Sequence, residues 1–189
     1  GPKYESVEVG LDRPYQGEPD QPWRRDYPSP AETYRDRRIA SLAFKLTGVD
    51  VTLDMGPIEI APGTQWLDGR TWNHEMFPAK DIWPEFAAKG LRKFPQMGDI
   101  SCRSALTMHR GTVHDSPIAR PVLVIGIDAP GAGHAALHDL MVPPDDFNAL
   151  PQCLRDHLVY RVVDEFVPVT PKQAHASLVR GADYRHTRA

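Results

Sequence analysis

Gly98-Asp-Ile-Ser-Cys-Arg-Ser-Ala-Leu-Thr-Met-His109-Arg-Gly-Thr-Val-His-Asp-Ser-Pro-Ile-Ala-Arg120, followed by the apolar run Pro121-Val-Leu-Val-Ile-Gly-Ile127, is the stretch whose reading decides the fold. It reads as a strand over Gly98 to Leu106 that delivers a histidine, a turn, and a second strand over Pro121 to Ile127 that opens with an arginine. A His at the end of one strand and an Arg at the start of the next can face one cavity. There the imidazole can hold a metal and the guanidinium can pair with a carboxylate.

Outward from that stretch a family pattern emerges. His109, Gly111, Ser116 and Arg120 fall in the spacing His-x-Gly-x-x-x-x-Ser-x-x-x-Arg, and upstream stands Met55-Gly56-Pro57-Ile58-Glu59-Ile60-Ala61-Pro62-Gly63-Thr64-Gln65. The first resembles the C-terminal signature of the phytanoyl-CoA dioxygenase family of iron(II) and 2-oxoglutarate oxygenases. The second resembles that family's Asn-Gly-Pro-Leu-x-x-x-Pro-Gly-Ser-His block. The resemblance covers roughly residues 20 to 130. It implies a mostly β double-stranded β-helix, or jelly roll, with iron held by a His-x-Asp and a distant His. Carried over by position, Asp26 and His109 would be iron ligands, Arg120 the clamp on the far carboxylate of 2-oxoglutarate, and Ser116 a hydroxyl donor beside it.

The first half of the implied iron site departs from the family. Where His-x-Asp is due the chain reads Trp23-Arg24-Arg25-Asp26-Tyr27-Pro28, so Arg24 stands in place of the His. None of the eight His residues opens a His-x-Asp or His-x-Glu. A guanidinium has no lone pair for a metal, and its charge repels one. Iron binding is therefore expected to be weak, and Arg24→His is expected to restore it.

Bulk properties allow one domain spanning 3–189, with Gly1-Pro2 read as the scar of a cleaved tag. A hydrophobic fraction of 41%, 25% charged residues and a formal charge of -3 fit an ordinary soluble chain, with no nucleic-acid or membrane partner expected and a cytoplasmic location. Two cysteines, Cys102 and Cys153, are too few for a disulfide framework. Nineteen prolines in 189 residues are about twice the usual ~5% and disfavour long helices.

In chain order, strands are expected over Tyr4 to Gly10, 39–47, Val49 to Leu53 and Ile58 to Ile60, and again over Val159 to Val169. Helices are expected at Pro84 to Lys93, Leu150 to Leu158 and Pro171 to Val179. The aromatic excursion from Trp66 to Pro84, with Trp72, His74, Phe77 and Trp83, reads either as a substrate lid or as aromatics packing the loop down. His134, His138 and Asp139 invite a metal reading but lack a third ligand at sensible spacing. Only about two dozen residues precede Trp23, which reads as a truncated relative, a fragment, or a subunit whose missing wall another chain supplies.

Three functions follow from the resemblance and its defect. One is a non-catalytic subunit that supports a catalytic partner of the same family, as a hetero- or homodimer. Another is an active dioxygenase using Fe(II) and 2-oxoglutarate on a small organic substrate, with an altered metal site that recruits His114. The third is an iron-free protein, with no cofactor of its own, that keeps Arg120 for a carboxylate ligand.

Overall fold

A computed structural model describes residues 3–72, 75–134 and 140–167. Three strands, β1 (Glu5–Asp12), β2 (Ser41–Thr47) and β3 (Ile58–Ile60), are followed by the short β4 (Leu91–Arg92), then β5 (Ile100–Ser104), β6 (His109–Gly111) and β7 (Val122–Asp128). A four-stranded antiparallel sheet has the order β1-β7-β2-β5, and a three-stranded sheet the order β4-β3-β6. The Arg24 stretch adds an eighth strand position to the smaller sheet. Arg24 and His109 exchange both backbone hydrogen bonds at 2.9 Å, as neighbours in an antiparallel ladder do. Strands that cross between two facing sheets in this order make the jelly roll expected from the sequence.

The alternation in β2, Ser-Leu-Ala-Phe-Lys-Leu-Thr, explains the layering. Ser41, Ala43 and Thr47 are buried and Lys45 points with them, whereas Leu46 faces out. The same inversion runs through β7, where Val122, Gly126 and Asp128 are buried. Small and polar side chains therefore fill the barrel side of this sheet, and apolar ones coat its outside. At Gly126 a methyl group would come within 2.9 Å of the Glu8 Cβ on the neighbouring strand, so glycine lets the two strands carry a carboxylate inside.

Apolar packing concentrates behind the smaller sheet. Trp23, Ala61, Phe86 and Met108 form one buried cluster, with Trp72, Ile82 and Trp83 packed on it. Trp23 meets Phe86 at 5.9 Å between ring centroids. Truncating such a buried indole typically costs about 3–5 kcal/mol. A second cluster joins Tyr27, Ala43, Ala105 and Leu106. Because residues 23 and 25 project to one side of an extended stretch and 24 and 26 to the other, burying Trp23 turns Arg24 and Asp26 into the barrel.

Several expectations are corrected. Residues 49 to 53 form a turn rather than a strand. The helix expected over Pro84 to Lys93 stops at Ala87 as α2 (Trp83–Ala87), and Leu91 and Arg92 are strand. Gly90 follows it where only glycine fits, since a Cβ there would meet the Ala87 carbonyl at 3.0 Å and the Glu59 carboxylate at 2.9 Å. His109 does not end β5 but begins β6 in the opposite sheet, after a turn at 105–107. An unexpected helix, α1 (Ala31–Asp36), follows Pro30. Near the C-terminus, the helix expected over Leu150 to Leu158 forms in shorter extent as α4 (Gln152–Arg155), an unexpected α3 (Pro144–Ala149) precedes it, and two-residue strands β8 (Met141–Val142) and β9 (Arg161–Val162) pair in parallel. The strand expected over Val159 to Val169 shrinks to β9, with 168 and 169 outside the described residues. The helix expected over Pro171 to Val179 also lies outside the described residues. No described helix is long and apolar enough to cross a membrane.

Candidate functional site

Three of the residues singled out in the sequence line one cleft: Arg24, His109 and Arg120. Its walls come from both sheets and include Asp12, Lys45, Thr47 and Val122 on one side and Ile58 and Gly111 on the other. Asp26 lies against His109 at 3.2 Å, Oδ1 to Nε2. Between them sits a residue the sequence reading passed over, Arg103. Its Nη1 is 3.0 Å from Asp26 Oδ2, and its Nη2 is 3.4 Å from Asp26 Oδ1 and 3.2 Å from His109 Nε2.

The hydrogen bonds assign the His109 tautomer. Its Nδ1 lies 2.9 Å from the Thr107 carbonyl, which only an N–H can satisfy, and Nε2 faces the Arg103 guanidinium, which only donates. The neutral ring with the proton on Nδ1 meets both demands, and Asp26 Oδ1, which also lies 3.2 Å from Nε2, takes its hydrogen bond from Arg103 instead. Burial, then the Arg103 charge, pushes the His109 pKa down to about 4, which keeps that neutral form at physiological pH. Burial alone would raise Asp26, but the Arg103 charge outweighs it and holds the carboxyl well below its usual range. The lone pair that would bind a metal is thus occupied by Arg103.

The residues present do not fit an iron centre. Arg24 offers no donor atom, Arg103 brings a positive charge to within hydrogen-bond distance of both remaining ligands, and no group of three His, Cys, Asp or Glu suited to a metal exists among the described residues. His114, a candidate substitute, is buried against Gly56 and does not line the cleft. His134 stacks on Tyr27 with centroids 4.7 Å apart, and its Nδ1 lies 3.5 Å from Asp128. His138 and Asp139 lie outside the described residues.

The cleft is cationic. Arg24 donates to Gln21 Oε1 at 2.7 Å, and Arg120 donates from Nε to the Met55 carbonyl at 2.8 Å. Neither of them, nor Lys45, forms an ion pair with a carboxylate within 4 Å among the described residues. Burial, reinforced by Arg103, lowers the Lys45 pKa to about 8. Burial also lowers Arg24 and Arg120, with Asp12 opposing it in both. Ser116 is buried but does not line the cleft, and its hydroxyl accepts from the Ile118 N–H at 3.3 Å. Trp66, Trp72, Phe77 and Trp83 line none of the cleft; Trp72 and Trp83 pack on the Trp23 cluster and Phe77 is buried, while His74 lies outside the described residues. Lys45 was findable in the sequence, as a long cation at an inward position between small or polar inward residues.

No family model matches the chain, and no curated protein matches it by sequence. Solved structures do match in shape. The apo form of the non-heme monooxygenase ThoJ superposes with a TM-score of 0.56 at 17% identity, covering 74% of this chain and 52% of that one. EctD from S. alaskensis with 2-oxoglutarate and 5-hydroxyectoine gives 0.53 at 14%, covering 69% and 46%. The epimerase SnoN in complex with Fe3+, alpha ketoglutarate and nogalamycin RO gives 0.53 at 15%, covering 67% and 50%. The chain has the jelly-roll fold of these iron and 2-oxoglutarate proteins. It spans about half the length of each. At these identities the likeness concerns the fold alone.

Proposed function

We propose that the chain is an oxygenase-fold protein that does not use iron and binds a small acid in its cleft, with Arg120 as the carboxylate clamp. The observation that carries this reading is Arg103, whose guanidinium lies 3.0 Å from Asp26 and 3.2 Å from His109 and so satisfies with one fixed charge the two residues that would otherwise hold a metal. A buried cation without a counter-ion is costly. Four cations line the cleft, Arg24, Lys45, Lys93 and Arg120, against two carboxylates, Asp12 and Glu18, and an anionic ligand offsets the positive surplus. Arg is suited to the task because its planar fork gives a carboxylate two parallel charge-assisted bonds.

Calorimetry on metal-free protein tests the reading. A carboxylate ligand is expected to bind, and Arg120→Ala to weaken it by roughly 1.5–3 kcal/mol per bond lost. Equal binding by wild type and variant, or iron held stoichiometrically by the wild type, would overturn it.

A second reading, a non-catalytic subunit beside another oxygenase-fold chain, is favoured by a different observation. On the outside of the four-stranded sheet Val9, Leu11, Leu46 and Ile100 are exposed. An apolar face of this kind suits a protein contact. Co-expression with an oxygenase-fold chain followed by size-exclusion chromatography tests it, and two separate monomer peaks would count against it.

A further inference from the structure

Lys45 brings more to the cleft than a charge, because an amine that loses its proton can attack carbon and a guanidinium cannot. It occupies an inward position of β2 between the small buried residues Ala43 and Thr47, and it lines the cleft with Arg24, Lys93 and Arg120 and the carboxylates Asp12 and Glu18. The two amines differ in setting. Lys93 also lines the open groove beside Leu91 and Phe94. Lys45 pairs with Ser101 across the β2 and β5 ladder and forms no ion pair with a carboxylate among the described residues.

That setting favours the neutral amine. Burial, then the Arg103 charge, holds Lys45 at about 8; Arg24 acts in the same direction, and Asp12 and Asp26 oppose it. At pH 7 about one Lys45 in ten is then neutral, against roughly one in three thousand for a lysine at the ordinary 10.5. Cationic neighbours and burial are what prepare a lysine for carbonyl chemistry.

We propose that Lys45 captures a small aldehyde as an imine. Its nitrogen attacks the carbonyl carbon and a C–N bond forms. The carbonyl oxygen takes up both amine protons and leaves as water, so that a C=N bond remains and nothing is oxidised or reduced. Ser101, directly opposite Lys45 on the same face of the sheet and also lining the cleft, has a hydroxyl that donates and accepts and can pass a proton from nitrogen to oxygen. The free space in the cleft is about 50 Å³. A cavity of ~150 Å³ takes benzene, so this one suits a molecule of only a few heavy atoms.

The inference does not rest on the acid-binding reading, since an aldehyde needs no charge. Acetaldehyde with cyanoborohydride at pH 7 turns an imine into a stable ethylamine, and peptide mass mapping locates it. Lys45 is expected to be ethylated roughly tenfold or more faster than Lys93 or any other lysine. The chain's α-amino group, which ordinarily titrates at about 8, is labelled as well and is told apart by its peptide. Lys45→Arg, which keeps the charge, should leave no fast lysine, and Ser101→Ala should slow the labelling of Lys45 several-fold. The wild-type map is decisive by itself, so no variant has to fold. Ethylation of Lys45 no faster than that of Lys93 overturns the inference and leaves the acid-binding reading standing.

Discussion

The Arg103 guanidinium and the His109 imidazole meet at 3.2 Å, with the ring nitrogen a metal would need as the acceptor. Arg24→His alone therefore no longer suffices to rebuild an iron site. It restores a donor but leaves a cation beside it. The double variant Arg24→His/Arg103→Ala is expected to bind Fe(II) with 2-oxoglutarate, read without oxygen as the weak visible absorption of the chelate, while wild type and Arg24→His stay colourless. Equal absorption from Arg24→His and the double variant would show that Arg103 is no obstacle.

Asp26 is the counter-charge for Arg103, whose side chain is 9% exposed against 19% for Asp26. Asp26→Asn keeps the shape and removes the charge, leaving a buried guanidinium unpaired. A loss of about 3 kcal/mol in urea unfolding is expected. A loss below roughly 0.5 kcal/mol, the range of an ordinary surface change, would mean the pair contributes little.

Lys45 gives two opposite pH trends. Its folded pKa of about 8 lies below the ordinary 10.5, so between those values the unfolded chain binds more protons, and stability should rise with pH across that window. Affinity for an acid in the cleft should instead fall as pH rises through about 8, because the neutral amine no longer attracts an anion. The charged groups that act on it are Arg103, Asp12, Asp26 and Arg24, and the low Asp26 pKa keeps that carboxylate ionised across this range. Melting temperature and calorimetry from pH 7 to 10 check both trends. Persistence of the affinity trend in Lys45→Met would assign it elsewhere.

Gly56 has φ +65°, and a Cβ there would sit 2.6 Å from the Thr112 carbonyl and 3.2 Å from the His114 Cβ. Gly56→Ala should cost upward of about 1 kcal/mol, from left-handed backbone strain and the clash together. Thermal denaturation checks this, and an unchanged melting temperature would contradict the tight approach of this turn to the strand after His109.

The jelly roll was legible because its signals are local. The Gly56-Pro57 turn, the Ile58–Ile60 strand and the apolar run after Arg120 each announce themselves within a few residues. His109 was found by spacing, but its strand was misjudged, since nothing in Thr107-Met108-His109 says that the chain changes sheets there. The absence of a His at position 24 was plain; the filling of the metal position was not. Arg103 is one of many arginines in the sequence. Only the β2 and β5 register, which sets it opposite Ala43, leaves room for it to reach across to Asp26 and His109.

The inverted sheet, with Glu8, Lys45 and Asp128 inside and Val9, Leu11 and Ile100 outside, has a calorimetric consequence. Exposing apolar surface on unfolding raises the heat capacity, and exposing polar surface lowers it. Here buried polar and charged residues are as numerous as buried apolar ones among the described residues, and much apolar area is already wet in the folded state. The heat-capacity increment per residue should fall below the usual range, which flattens the dependence of stability on temperature. Such a protein gains little from cooling and loses its fold gradually on heating.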